Sequence, residues 1–178
     1  ALPIFSPPML ITASLVLTLA APAFTAKDMH ALKRLADPQI SPDGKWVLYQ
    51  QTTIDLGKSR NTDLFIVPTA GGTPRALTSH PKSDSQGRFS KDGSQIAFIS
   101  SRDGAPQVFV LDLQGGEARR VTNLSQGASS FRWATADKLV VVTDVHPACT
   151  DADFDACTKK KVEEKGESVR VYDKLFYR

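Results

Sequence analysis

The side chains best equipped for chemistry crowd into one polar stretch: His146, Cys149, Asp151, Asp153, Asp155 and Cys157. Imidazole, thiolate and carboxylate are metal ligands, and two thiols this close in sequence can also close on each other. Asp151-Ala152-Asp153-Phe154-Asp155 has the alternation that opens a calcium loop. The rest of such a loop is wrong, because its sixth position is Ala156 where the sharp turn needs Gly. Its twelfth position is Val162 rather than a bidentate Glu, and Glu163 comes one residue late. These are the only two cysteines in the chain. In an exported protein their expected state is a disulfide, with a metal site and free thiols as alternatives. The closed loop is short, so its stabilisation is at the lower end, about 2–3 kcal/mol.

The other reactive side chains read as surface. Lys159-Lys160-Lys161 is expected to be a solvated part of the same polar loop. Glu163-Glu164 has the charge to hold a substrate ammonium, but in so charged a segment the plainer reading is a solvated one. A net charge of +3 is too small to argue for a nucleic-acid partner. His30, His80 and His146 are scattered. There is no Gly-x-Ser-x-Gly, no phosphate-binding glycine loop and no helical zinc motif. The expectation is that no catalytic, cofactor-binding or metal-binding residue lies in this chain.

The elements that carry these residues are repeated. Ile40-Ser41-Pro42-Asp43-Gly44-Lys45-Trp46-Val47-Leu48-Tyr49 returns as Phe89-Ser90-Lys91-Asp92-Gly93-Ser94-Gln95-Ile96-Ala97-Phe98. The segment from Leu64 to Thr78 returns at Val108 to Thr122, with Gly71-Gly72 matched by Gly115-Gly116. A decayed third copy of the first half starts at Trp133 and runs through Ala136-Asp137-Lys138 into Leu139–Val142. A period of about 40–50 residues is that of four-stranded propeller blades. Asp43-Gly44 and Asp92-Gly93 are expected as the central pairs of tight hairpins, where positive φ is favoured. The runs Trp46–Tyr49, Ile96–Ile99 and Leu139–Val142 are continuously apolar. Such runs suit strands covered on both faces by neighbouring blades.

Residues 27–178 therefore hold roughly three blades, whereas a closed propeller needs about four to eight. The predicted fold is all-β, an incomplete β-propeller with a polar, cysteine-bearing insertion at about 144–167. Either the chain is a fragment or it assembles with further copies. Its first residue, Ala1, and its strand-like last residues point to a fragment.

Residues 1–26 carry no charged side chain before Lys27, and Leu10–Ala21 forms an apolar core of signal-peptide length. Ala21-Pro22-Ala23 offers small residues where a signal peptidase reads, with cleavage after Ala23 or, less well, after Ala26. No Lys or Arg precedes the core, which departs from the usual pattern. An uncleaved membrane anchor is the competing reading. Either way the expected location is exported, periplasmic or secreted, with membrane contact only through this segment if it stays attached.

The unit from Phe89 to Val110 resembles the propeller repeat of two groups. One is the periplasmic TolB-type proteins. The other is the N-terminal propeller of the prolyl oligopeptidase family of serine peptidases. The tail Ser168-Val169-Arg170-Val171-Tyr172-Asp173-Lys174-Leu175-Phe176-Tyr177-Arg178 resembles a segment of the acylaminoacyl and dipeptidyl peptidase branch of that family. There a similar stretch follows a long polar insertion, often with cysteines, and runs into a His-Trp-Asp sequence. The resemblance implies a two-domain peptidase whose C-terminal α/β-hydrolase domain supplies Ser, Asp and His. Its propeller would restrict entry to short peptides, the implied substrates. None of those catalytic positions lies in this chain, and no cofactor is implied. The alternative is a periplasmic propeller that binds partner proteins without catalysis.

Overall fold

A computed structural model of the protein describes residues 23–55, 59–149 and 153–165. The core of the signal-like segment and the tail Ser168–Arg178 lie outside the described residues. The first element is a short helix, α1 (Ala26–Ala31). Thr25 caps it, accepting from the Asp28 amide at 3.3 Å while the Asp28 carboxylate accepts from the Thr25 amide at 2.8 Å. Two orphan amides of the first turn are satisfied in this reciprocal way.

Ten strands follow. β1 (Arg34–Ile40), β2 (Trp46–Asp55), β3 (Ser59–Pro68) and β4 (Arg75–Ala76) form one antiparallel sheet in sequence order. β5 (Asp84–Phe89), β6 (Gln95–Ser100), β7 (Gln107–Asp112) and β8 (Arg119–Arg120) form the second. β9 (Ser130–Trp133) and β10 (Leu139–Val142) form the third, two-stranded among the described residues. This is the all-β, propeller-like architecture expected from the repeat. The last described element is helix α2 (Phe154–Lys165).

The core lies between the sheets, and strand alternation decides which residue serves which boundary. Ile96, Phe98, Phe109 and Leu111 of the second sheet pack with Leu48 and Leu64 of the first. The intervening Ala97, Ile99, Val108 and Val110 pack with Ala128 and Phe131 on the side of the third. A strand that buries both faces has no polar positions left, which is why Ile96–Ile99 reads as an unbroken apolar run. The same expectation needs correction for Leu139–Val142, which alternates half-buried and exposed positions, whereas Trp46–Tyr49 is buried or half-buried throughout. Leu35 and Ile40 are 65% and 69% exposed on the first sheet, and Val140 and Val142 are 59% and 54% exposed on the third.

Two local expectations are also corrected. Asp43 and Asp92 do not adopt positive φ; only Gly44 (φ 72°) and Gly93 (φ 75°) do. The turn is four residues long, with the Gly44 amide donating to the Ser41 carbonyl at 2.9 Å and the Gly93 amide to the Ser90 carbonyl at 3.0 Å. Glycine thus takes the last turn position, and Asp acts through its side chain. Lys159–Lys161, expected in a loop, are helical in α2. Lys160 and Lys161 reach Glu164 at 3.9 and 3.3 Å, spacings that support a helix.

Candidate functional site

β5 touches both β1 and β9. Together with the sheet order, this makes β1, β5 and β9 the strands that line the axis of the propeller. β1 carries a bulge between Ala36 and Gln39, and β5 an equivalent one between Ser85 and Arg88. At the bulges Asp37 (φ 52°) and Gln86 (φ 55°) are the only non-glycine residues at positive φ among the described residues. A bulge re-aims its side chain out of the strand's alternation, and both of these point to the next sheet.

Asp37 is the hub of the first junction. Its carboxylate accepts from Arg88 Nη1 at 2.6 Å, from Gln50 Nε2 at 2.7 Å and from Gln39 Nε2 at 3.1 Å. Arg88 also donates to the Gly87 carbonyl at 2.7 Å. Beside this ion pair a cleft of about 480 Å³ opens between the two sheets, lined by Gln39, Ile40, Pro42, Arg88, Phe89, Ser90 and Lys91. At the second junction Gln86 Nε2 donates to the Ser129 carbonyl at 3.1 Å. Arg132 repeats the local bond of Arg88, donating from Nη1 to the Phe131 carbonyl at 2.8 Å.

The hairpin turns are held by hydroxyl–carboxylate clasps. Ser41 Oγ donates to Asp43 at 2.6 Å and accepts from the Trp46 amide at 2.9 Å. Ser90 and Asp92 repeat this at 2.6 Å, with the Gln95 amide donating to Ser90 Oγ at 2.9 Å. The serine hydroxyl bond, followed by a backbone amide, holds the Asp43 and Asp92 carboxyls below their ordinary value. Thr135 Oγ1 and Asp137 form the same clasp at 2.6 Å in the third sheet.

A second ion pair is buried between the first two sheets. Asp84, fully buried, accepts from Arg102 Nη2 at 2.9 and 3.1 Å. The guanidinium lies 4.7 Å from the Phe109 ring centre and 5.5 Å from that of Phe98. Burial, and then the nearby Asp84 charge, raise the pKa of Asp63. These groups are matched to each other and to aromatic faces, an arrangement that orders a junction.

The crowded polar stretch is drawn together by its own contacts. Cys149 and Cys157 are joined as a disulfide, with Cα atoms 5.7 Å apart. Asp155 accepts from the Ser125 amide and hydroxyl, both at 2.8 Å. Thr158 Oγ1 accepts from the His146 amide at 3.0 Å. His146 Nδ1 accepts from the Ala148 amide at 3.2 Å, and His80 Nδ1 from the Lys82 amide at 3.0 Å. Asp151 lies outside the described residues. Asp153 and Asp155 flank the start of α2, where carboxylates favour the helix dipole.

The axial hub was missed in the sequence, although the repeat holds its signal. The 49-residue offset that aligns Ser41 with Ser90 also aligns Asp37 with Gln86 and Gln39 with Arg88.

The family described as "Tricorn protease N-terminal beta propeller domain" matches residues 58–168. The chain is 34% identical over 121 residues to the uncharacterized peptidase YuxL of Bacillus subtilis, covering 67% of this chain and 18% of that protein. It is 36% identical over 80 residues to the TolB homolog of Chlorobium luteolum, covering 45% of this chain and 18% of that protein. The fold is similar to that of the Pyrococcus horikoshii acylaminoacyl peptidase, with a TM-score of 0.56 and 24% identity. That match covers 72% of this chain and 20% of the peptidase. The chain thus spans less than a fifth of the length of these two sequence relatives.

Proposed function

Because the chain belongs to the family of Tricorn protease N-terminal β-propeller domains, we propose that it is the non-catalytic propeller portion of an exported serine peptidase. The peptidase would be of dipeptidyl or acylaminoacyl type, with its Ser, Asp and His on an α/β-hydrolase domain outside this chain. The sheets would wall the approach to that domain and admit only short peptides. The observation that carries this reading is the similarity to YuxL over 121 residues, beside a family match that runs from residue 58 to 168. The side chains agree with it, since the hydroxyls and carboxylates described above are engaged in turns and sheet junctions. Ser41 and Ser90 are buried, and each hydroxyl is held between a turn carboxylate and a strand amide.

Export rests on the apolar segment before Lys27. Among the described residues no helix is long and apolar enough to cross a membrane. A second reading is favoured by the TolB homolog, a propeller that would bind protein partners without a reaction. Reading the coding sequence downstream of Arg178 separates the two. Continuation through further blades into a Gly-x-Ser-x-Gly with later Asp and His is the expected result. A stop codon after further Ser-Pro-Asp-Gly units alone would leave the binding propeller.

A further inference from the structure

The two sheet junctions use one device with one difference. At the first junction the bulge residue is Asp37, and its carboxylate neutralises Arg88 of the next axial strand at 2.6 Å. At the second the equivalent bulge residue is Gln86, with nearly the same φ. The equivalent arginine is Arg132, since Arg88 stands opposite Ala97 and Arg132 opposite Val140 at matching positions of the two hairpins. The local hold on both guanidinium groups is the same, a bond from Nη1 to the preceding carbonyl at 2.7 and 2.8 Å. Arg132 shares the local hold of Arg88, but the bulge residue of its junction is a neutral amide, Gln86, which donates to the Ser129 carbonyl at 3.1 Å. Arg132 is exposed, and among the described residues no carboxylate pairs with it.

We propose that Arg132 is a carboxylate-binding residue on the propeller axis, taking from a ligand the negative charge that Asp37 supplies to Arg88 within the chain. A guanidinium fixed at one nitrogen keeps its other donors free in a planar fork suited to a carboxylate. Its backbone anchor holds it in place without neutralising it. Peptides bring carboxylates in two ways, at the C-terminus and on acidic side chains. That the ligand is a peptide rests on the peptidase reading; that it is a carboxylate rests on the junction geometry alone.

The test is calorimetric titration of the full chain with N-acetyl-dialanine as free acid, with its C-terminal amide, and with N-acetyl-alanyl-glutamate amide. The free acid is expected to bind at least about tenfold more tightly than the dialanine amide. Recovery of affinity by the glutamate peptide would mark side-chain carboxylates as ligands too; its failure would restrict the site to C-termini. Arg132→Gln and Gln86→Asp should each abolish the difference, the first by removing the cation and the second by occupying it. Gln86→Asn should retain it. Equal binding of acid and amide, no binding of either, or an unaltered preference in Gln86→Asp overturns the proposal. An independent arm needs no ligand: Gln86→Asp should raise the unfolding midpoint when Arg132 is present and not in the Arg132→Gln background. These outcomes are separate from the downstream coding sequence, so the peptidase reading and this one fail independently.

Discussion

Trp133 on β9 donates its indole Nε1–H to the carbonyl oxygen of Arg88 on β5, at 3.1 Å across the boundary between the second and third sheets. The indole also packs against the cluster of Ala97, Ile99, Val108 and Val110. One side chain therefore joins two blades by burial and by a directed bond. Trp133→Phe keeps most of the apolar contact and removes the donor. It is expected to destabilise by about 1 kcal/mol, and Trp133→Ala by more because a cavity is added. Urea denaturation of the two variants checks the order; an unaltered stability in Trp133→Phe would mean that the bond contributes nothing, and equal losses that the packing contributes nothing beyond it.

The clasps make stability depend on acid in a defined direction. Asp92 titrates below its ordinary value of 3.8, chiefly because Ser90 donates to its carboxylate and the Ser94 amide supports it. A carboxyl with a lowered folded pKa contributes stability that is present above 3.8 and lost as pH falls through the folded value. The thermal midpoint of the wild type should therefore fall steeply below about pH 4. Asp92→Asn should show a shallower fall there and a lower midpoint at neutral pH. An unchanged slope would show that the clasp does not carry the effect.

How much of this was legible follows from what each residue answers to. The clasp at Asp43 and Asp92 sits in a repeated Ser-x-Asp-Gly, so the turn was readable, although the role of Asp as side-chain acceptor was not. Thr135–Asp137 kept the interaction while losing both the Ser and the Gly, so its copy looked decayed. Hydroxyl and carboxylate spacing survived because that is what the turn needs. The Arg102–Asp84 pair escaped notice because its partners are set by sheet packing rather than by spacing. Helix α2 was hidden by its charges. Its lack of an apolar face removed the periodicity by which helices are recognised, and Asp155, Thr158 and the disulfide anchor it instead.

That anchoring leads to a local prediction. With no apolar stripe to hold it, α2 depends on the loop closed by Cys149 and Cys157. Replacing both cysteines by serine should cost about 2–3 kcal/mol of loop-closure stabilisation. The loss should be local, with amide exchange of Phe154–Lys165 accelerated while β6 and β7 keep their protection. Thiol reductant should reproduce it in the wild type. Uniform acceleration across the sheets would instead mean that the insertion supports the whole fold.

On the export reading proposed above, the capping box at α1 distinguishes the two candidate processing sites. Cleavage after Ala26 would remove Thr25 and with it both reciprocal bonds to Asp28. Cleavage after Ala23 leaves Phe24-Thr25 in place and the cap intact. An N-cap of this kind is worth about 1 kcal/mol, and Asp28 titrates below its ordinary value because Thr25 donates to it. The mature protein recovered after export should therefore begin at Phe24, as N-terminal sequencing or intact mass would show. Truncation to Lys27 should yield a chain whose α1 amides exchange faster than those of the chain beginning at Phe24. A mature terminus at Lys27 would remove the cap from any role in the exported protein. Retention of residues 1–23 would instead identify the segment as an uncleaved anchor.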